Sequence, residues 1–135
     1  MADHGRFYAG MEDKLPGMQA LCRSADLVLP NLTEACLLLG QPIPEGDLED
    51  AAALELAGRL TTLCPQAVVT GIPSGRNLAC AGAGRSSFVV RRLRLDCSYP
   101  GTGDLFAAVL TGALLRGNAL SAATDAAAGF VAEAI

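Results

Sequence analysis

The sequence predicts an α/β domain with a mostly parallel sheet, helices on both faces and an antiparallel edge. Three observations in its 135 residues lead there. Two short apolar runs, at Asp26–Pro30 and Ala67–Gly71, read as strands buried on both faces. Helical patterns precede and separate them. A glycine turn, Gly101-Thr102-Gly103-Asp104, then opens a long Ala- and Leu-rich segment free of proline.

Each element has its own signal. Asp3 to Gly10 reads as a loop, with His4, the single histidine, an exposed loop residue. Met11 to Ala25 is predicted helical, since Leu15, Met18, Leu21 and Cys22 recur at helical spacing and Pro16 falls early enough to be tolerated. Asn31 and Glu34 have the N-cap and N3 spacing of a capping box, and Gly40 marks the end of that helix. A Pro/Gly loop at Gln41–Asp47 leads to an amphipathic helix, Leu48 to Leu63. There Leu48, Ala52, Leu56 and Leu60 recur every four residues, and Glu55 and Arg59 form an i,i+4 pair.

After the second strand, a turn at Pro73-Ser74-Gly75 precedes two weaker strands near Leu78–Ala81 and Ser87–Leu93. In the latter Phe88 and Val90 share one face while Val89 and Arg91 share the other. Arg91, Arg92 and Arg94 read as a solvated strand face, and Cys97 as a loop thiol. The helix after Asp104 is expected to end near Gly117, and Ser121 to cap a last helix that runs to the chain end.

Composition narrows the classes. With 51% apolar residues and a mean hydropathy of +0.36, the chain is too apolar for disorder. A net charge of −4 and a pI near 4.8 argue against nucleic acid, whose phosphates need a basic face. The longest uncharged stretch, Leu60 to Gly75, is broken by Pro65 and Gly71 and predicts no membrane span. Five cysteines without a C-x-x-C pair, and an N-terminus without an apolar run, predict reduced thiols and a cytoplasmic protein.

The chemistry concentrates at three polar spots. A glycine turn feeding a helix start leaves backbone N–H groups unpaired beneath a positive dipole end, which makes an anion site. Asp104 would repel that anion unless it accepts a proton from a hydroxyl attacking a phosphate. The plainer alternative is a helix capped by Thr102, with Asp104 complementing the dipole. In parallel sheets ligands bind beyond the carboxyl ends of the strands. Asn31–Glu34, Thr70 and Gly101–Asp104 are all expected there, converging on one crevice.

Asp26-Leu27-Val28-Leu29-Pro30-Asn31-Leu32-Thr33-Glu34-Ala35, together with Gly101-Thr102-Gly103-Asp104-Leu105-Phe106-Ala107-Ala108, resembles the C-terminal half of the pyridoxal kinases of the ribokinase-like superfamily. The resemblance implies a partial ribokinase-like three-layer fold. Residues 1–135 would be the nucleotide-binding and catalytic portion of one kinase domain, lacking the N-terminal half and cut short at the C-terminus. It implies transfer of the ATP γ-phosphate to the 5′-hydroxyl of a vitamin B6 vitamer with Mg²⁺, leaves K⁺ assistance open, and implies a homodimer for the intact enzyme.

By the same resemblance Asp104 would be the catalytic base, and the N–H groups of Gly101, Thr102 and Gly103 the anion hole. Asn31 and Glu34 would form an N-x-x-E element in which Glu34 orders Mg²⁺. Thr70 and Tyr8 would lie by the nucleotide phosphates and Asp3 near the metal. Leu29 departs from the pattern, standing where many relatives have Thr. Two other functions stay open: a hydroxymethylpyrimidine-type kinase, whose members tend to carry Cys where Asp104 stands, and a non-catalytic fragment.

Overall fold

In a computed structural model, which describes residues 1–95 and 99–135, the chain begins with a small hairpin. Cys97 lies outside the described residues. The hairpin strands, β1 (Ala2–Asp3) and β2 (Arg6–Phe7), pair antiparallel, where the sequence reading has a loop. His4 and Gly5, with φ of 49° and 80°, make the two-residue turn. Positive φ at both central positions suits the right-handed twist of paired strands.

A 3₁₀ turn at Glu12–Lys14 runs into α1 (Leu15–Ser24), with proline in the first turn where its missing N–H costs nothing. Asp26–Pro30 follows as an extended segment beside β3 (Ala67–Ser74), held by parallel bridges Val28↔Ala67 and Asn31↔Thr70. Val28 N–H donates to Gln66 O and Val28 O accepts from Val68 N–H, at 3.1 and 2.9 Å. Between these two stretches lie α2 (Leu32–Leu39) and α3 (Asp50–Leu60). Arg59 donates to the Gln41 side chain and forms no ion pair with Glu55 among the described residues.

The main sheet has the order β3-β4-β5, with β4 at Asn77–Ala83 and β5 at Phe88–Leu93, all antiparallel. Parallel pairing is confined to the Asp26–Pro30 segment, less than the sequence predicts. The reason is local: Ser74 pairs with Asn77, so only Gly75 and Arg76 turn the chain, and so short a link returns a strand antiparallel. A parallel neighbour needs a crossover, which here only the α2–α3 stretch supplies.

Two apolar layers flank the sheet, giving the three-layer α/β architecture. Leu56, Leu60, Cys36 and Ala35 from the first helices meet Val69, Ile72, Ala79 and Ala81 on one face. On the other, α4 (Thr102–Leu115) and α5 (Leu120–Ala134) bring Phe106, Leu110, Ala113, Ala123 and Ala127 onto Val68 and Cys80. Alternation along the strands does the sorting: Val68 faces one layer and Val69 the other, and Phe88 and Val89 divide in the same way. Ala119, not Ser121, precedes α5, whose start has no side-chain cap.

Four cysteines are buried and free. Burial pushes the Cys80 thiol up to about 12, and raises Cys22 and Cys36 as well, so these thiols stay protonated at neutral pH. Among the described residues no helix is long and apolar enough to cross a membrane.

Candidate functional site

The first acidic turn is built by α2. Asn31, in extended conformation at its N-cap, accepts the Glu34 N–H on its side chain at 2.8 Å, and the Glu34 carboxylate accepts the Asn31 N–H at 3.1 Å. The capping box is therefore complete, and it fixes the carboxylate at the helix mouth. The N-terminal hairpin docks on this turn. Asn31 Nδ2 donates to Ala2 O at 2.9 Å, Gly5 N–H donates to Thr33 Oγ1 at 2.9 Å, and the Met1 ammonium sits 2.9 Å from Glu34 Oε1.

Asp3 rides on the same hairpin, its carboxylate accepting the His4 N–H at 2.8 Å. Tyr8 donates its N–H to Met1 O at 3.0 Å and leaves its ring exposed. Thr70 joins from β3: its N–H donates to Pro30 O at 2.9 Å, and it bridges Asn31. Asp3, Asn31, Glu34 and Thr70 thus belong to one connected patch, with Tyr8 on the stretch that leads away from it.

The second turn opens α4. Gly101 occupies the N-cap with φ of 87° and ψ of 0°, a left-handed backbone that side-chain-bearing residues rarely adopt. The helix starts at Thr102, and no side chain caps it. The sequence reading offered Thr102 as a capping residue; it stands inside the helix, with Gly101 at the N-cap. The N–H groups of the first turn have no earlier helical carbonyl to reach. Asp104 lies in that turn, exposed. Beside it a shallow depression of about 280 Å³ is lined by Tyr99, Pro100, Gly101, Thr102, Leu105, Ala134 and Ile135.

Strand direction relates the two turns. β5 runs antiparallel to β4 and β4 to β3, so β3, β5 and the Asp26–Pro30 segment all point the same way. The Asn31–Glu34 turn therefore follows the carboxyl end of the Asp26–Pro30 segment, level with Thr70 midway along β3. α2 and α4 belong to the apolar layers on opposite faces of the sheet. Among the described residues no hydrogen bond or ion pair joins the Glu34 turn to the Asp104 turn.

The donor set bears on a metal. Among the described residues no group of three or more His, Cys, Asp or Glu gathers around a point that could hold an ion. A hard ion such as Mg²⁺ keeps several waters and needs only one or two carboxylates plus substrate phosphates. Glu34, whose side chain is 22% exposed, and Asp3, at 42%, are the carboxylates on offer in the patch.

The fold is a three-layer α/β domain of the ribokinase-like kind. Residues 8–135 match the family model for phosphomethylpyrimidine kinase, and the chain belongs to that family. It is 30% identical over 136 residues to a pyridoxine/pyridoxal/pyridoxamine kinase of Bordetella avium (strain 197N), an alignment covering 98% of this chain and 45% of that protein.

Among solved structures, a Bacteroides thetaiotaomicron protein assigned as a phosphomethylpyrimidine kinase superposes with a TM-score of 0.93 at 30% identity, over 98% of this chain and 48% of that one. A second crystal form of it, with pyridoxal, gives 0.90 over 98% and 49%. Pyridoxal kinase from Lactobacillus plantarum gives 0.83 at 32% identity, again over 98% and 49%. The chain spans about half the length of the relatives it matches.

The sequence reading missed the docked hairpin. Its signal was present: a two-residue His4-Gly5 turn between short flanks, with glycine where left-handed backbone is needed.

Proposed function

We propose that this chain supplies the phosphoryl-transfer half of a vitamin B6 kinase, which moves the ATP γ-phosphoryl group to the 5′-hydroxyl of pyridoxal, pyridoxine or pyridoxamine in the cytoplasm. The observation that carries this reading is the α4 start: a left-handed Gly101, no side-chain cap, and Asp104 exposed in the first turn. α3 and α5 also start without a side-chain cap; what α4 adds is the left-handed glycine before an exposed aspartate, at a helix N-terminus of the kind that favours anions.

Asp104 accepts the hydroxyl proton as the 5′-oxygen forms its bond to the γ-phosphorus and the bond to the β–γ bridging oxygen breaks, releasing ADP. The N–H groups of Gly101, Thr102 and Gly103 take the charge on the transferring group. Asn31 holds Glu34 by the capping box, and Glu34 with Asp3 faces the metal side. Thr70 and Tyr8 line the approach of the phosphates. Bound Mg²⁺ would neutralise phosphate charge. K⁺ assistance and dimerisation belong to the same proposal and add no step to it.

The family model bears the name of the pyrimidine reaction, which favours a second reading, phosphorylation of a hydroxymethylpyrimidine. The aspartate at position 104 and the pyridoxal in the Bacteroides protein's crystals support the first. An assay of ATP-dependent phosphorylation with both acceptors separates them. Pyridoxal 5′-phosphate is the expected product, formed by the isolated chain far more slowly than by the Bordetella avium relative. Phosphorylation of the pyrimidine alone would contradict the B6 assignment. Turnover matching the relative would contradict the view that half the machinery is missing.

A further inference from the structure

The proposed site is short of positive charge. Asp3, Glu34 and Asp104 would face a triphosphate, and among the described residues no Lys or Arg forms an ion pair with any of them, although Arg6 stands opposite Asp3 in the hairpin. Three carboxylates beside a polyanion need more counter-charge than a metal ion. The arginines at the end of the sheet differ in what they do. Arg91 is paired with Asp50, and Arg92 with both the carboxylate and the backbone oxygen of Asp125, which ties β5 to the helices on either face. Those two are structural.

Arg76 and Arg94 are different. Arg76 sits in the two-residue turn between β3 and β4, and Arg94 follows β5 directly; Arg94 N–H donates to Arg76 O at 2.8 Å, which sets the two residues side by side. Both are exposed, and neither has a carboxylate partner among the described residues. Strand direction puts this pair past the carboxyl ends of β3 and β5, the direction in which β3 runs on from Thr70. Two like charges held adjacent repel one another unless an anion lies between them.

We infer that Arg76 and Arg94 form a cationic clamp for the polyphosphate of the nucleotide. This rests on the kinase reading and adds two positioning residues to it. Guanidinium groups suit the task because their planar forks meet phosphate oxygens two at a time.

The probes are inorganic tripolyphosphate, MgAMP-PNP and adenosine, each titrated calorimetrically into the chain. The double substitution Arg76→Gln with Arg94→Gln is expected to weaken tripolyphosphate and MgAMP-PNP by about tenfold. It should also flatten the salt dependence of both and leave adenosine unchanged. Arg85→Gln, in the β4–β5 turn at the opposite end of the sheet, is expected to change none of the three. Both variants alter exposed side chains, and unchanged circular dichroism and melting confirm intact folding. Wild-type affinity retained in the double variant, or an equal loss in Arg85→Gln, overturns the clamp while the kinase reading stands. A wild-type chain that binds neither phosphate probe overturns both.

Discussion

Asp104→Ala is expected to cut the rate of pyridoxal phosphorylation by about 10²- to 10⁴-fold, the span a positioned general base contributes. Binding of MgAMP-PNP is expected to hold within about twofold, because the carboxylate serves the transition state and not the bound nucleotide. Single-turnover assays with the chain in excess measure the chemical step even where turnover is slow, and calorimetry measures the binding. The asymmetry carries the argument. Asp104 sits in a helix turn with unpaired N–H groups, where a purely electrostatic carboxylate would hinder an anion. Its removal should, if anything, help nucleotide binding. An unchanged rate removes the base assignment, and a collapse of nucleotide binding shows that the residue does something else.

Leu110→Ala is expected to destabilise the fold by about 2–5 kcal/mol. Leu110 is fully buried between the sheet and α5, against Val68, Cys80, Phe106, Ala123 and Ala127. Two of those neighbours are alanines on a helix already packed closely, so the surroundings have little side chain with which to fill the gap. Leu115, on the same helix, is 84% exposed, and Leu115→Ala should stay within about 0.5 kcal/mol of the parent. Urea unfolding of the two variants compares them directly. Equal midpoints would mean that the α4 layer does not pack on the sheet as described, and the placement of the Asp104 turn would go with it.

Which features the sequence revealed follows from how far each signal reaches. The α2 capping box is a contact between residues three apart, and Asn31 and Glu34 announced it. The glycine turn and the helix beyond it were equally local. The two apolar runs disclosed their burial, since a strand covered on both faces has no polar alternate. Pairing was harder. The two weaker strands near Leu78–Ala81 and Ser87–Leu93 announced the antiparallel edge that β4 and β5 form; that β4 pairs directly with β3 depends on the two-residue turn between them. Ser121 misled because serine favours caps in general, while α5 begins one residue earlier, at Leu120 after Ala119. Glu34's ion pair with Met1 spans 33 residues and leaves no trace in spacing. Asn31 and Thr70 meet through a parallel bridge, although β3 runs four residues past Thr70, a register that nothing local in either segment states.

The central claim is that one metal-bound nucleotide lies between the Asn31–Glu34 turn and the Gly101–Asp104 turn. Manganese in place of magnesium makes this visible, because the paramagnetic ion broadens the amide resonances of nearby residues. With Mn²⁺ and AMP-PNP added together to the labelled chain, the amides of Asn31–Glu34 and of Thr102–Asp104 are predicted to broaden in parallel, while those of Arg85 and Arg116 stay sharp. Broadening confined to one of the two turns, or spread evenly over the chain, would contradict the account.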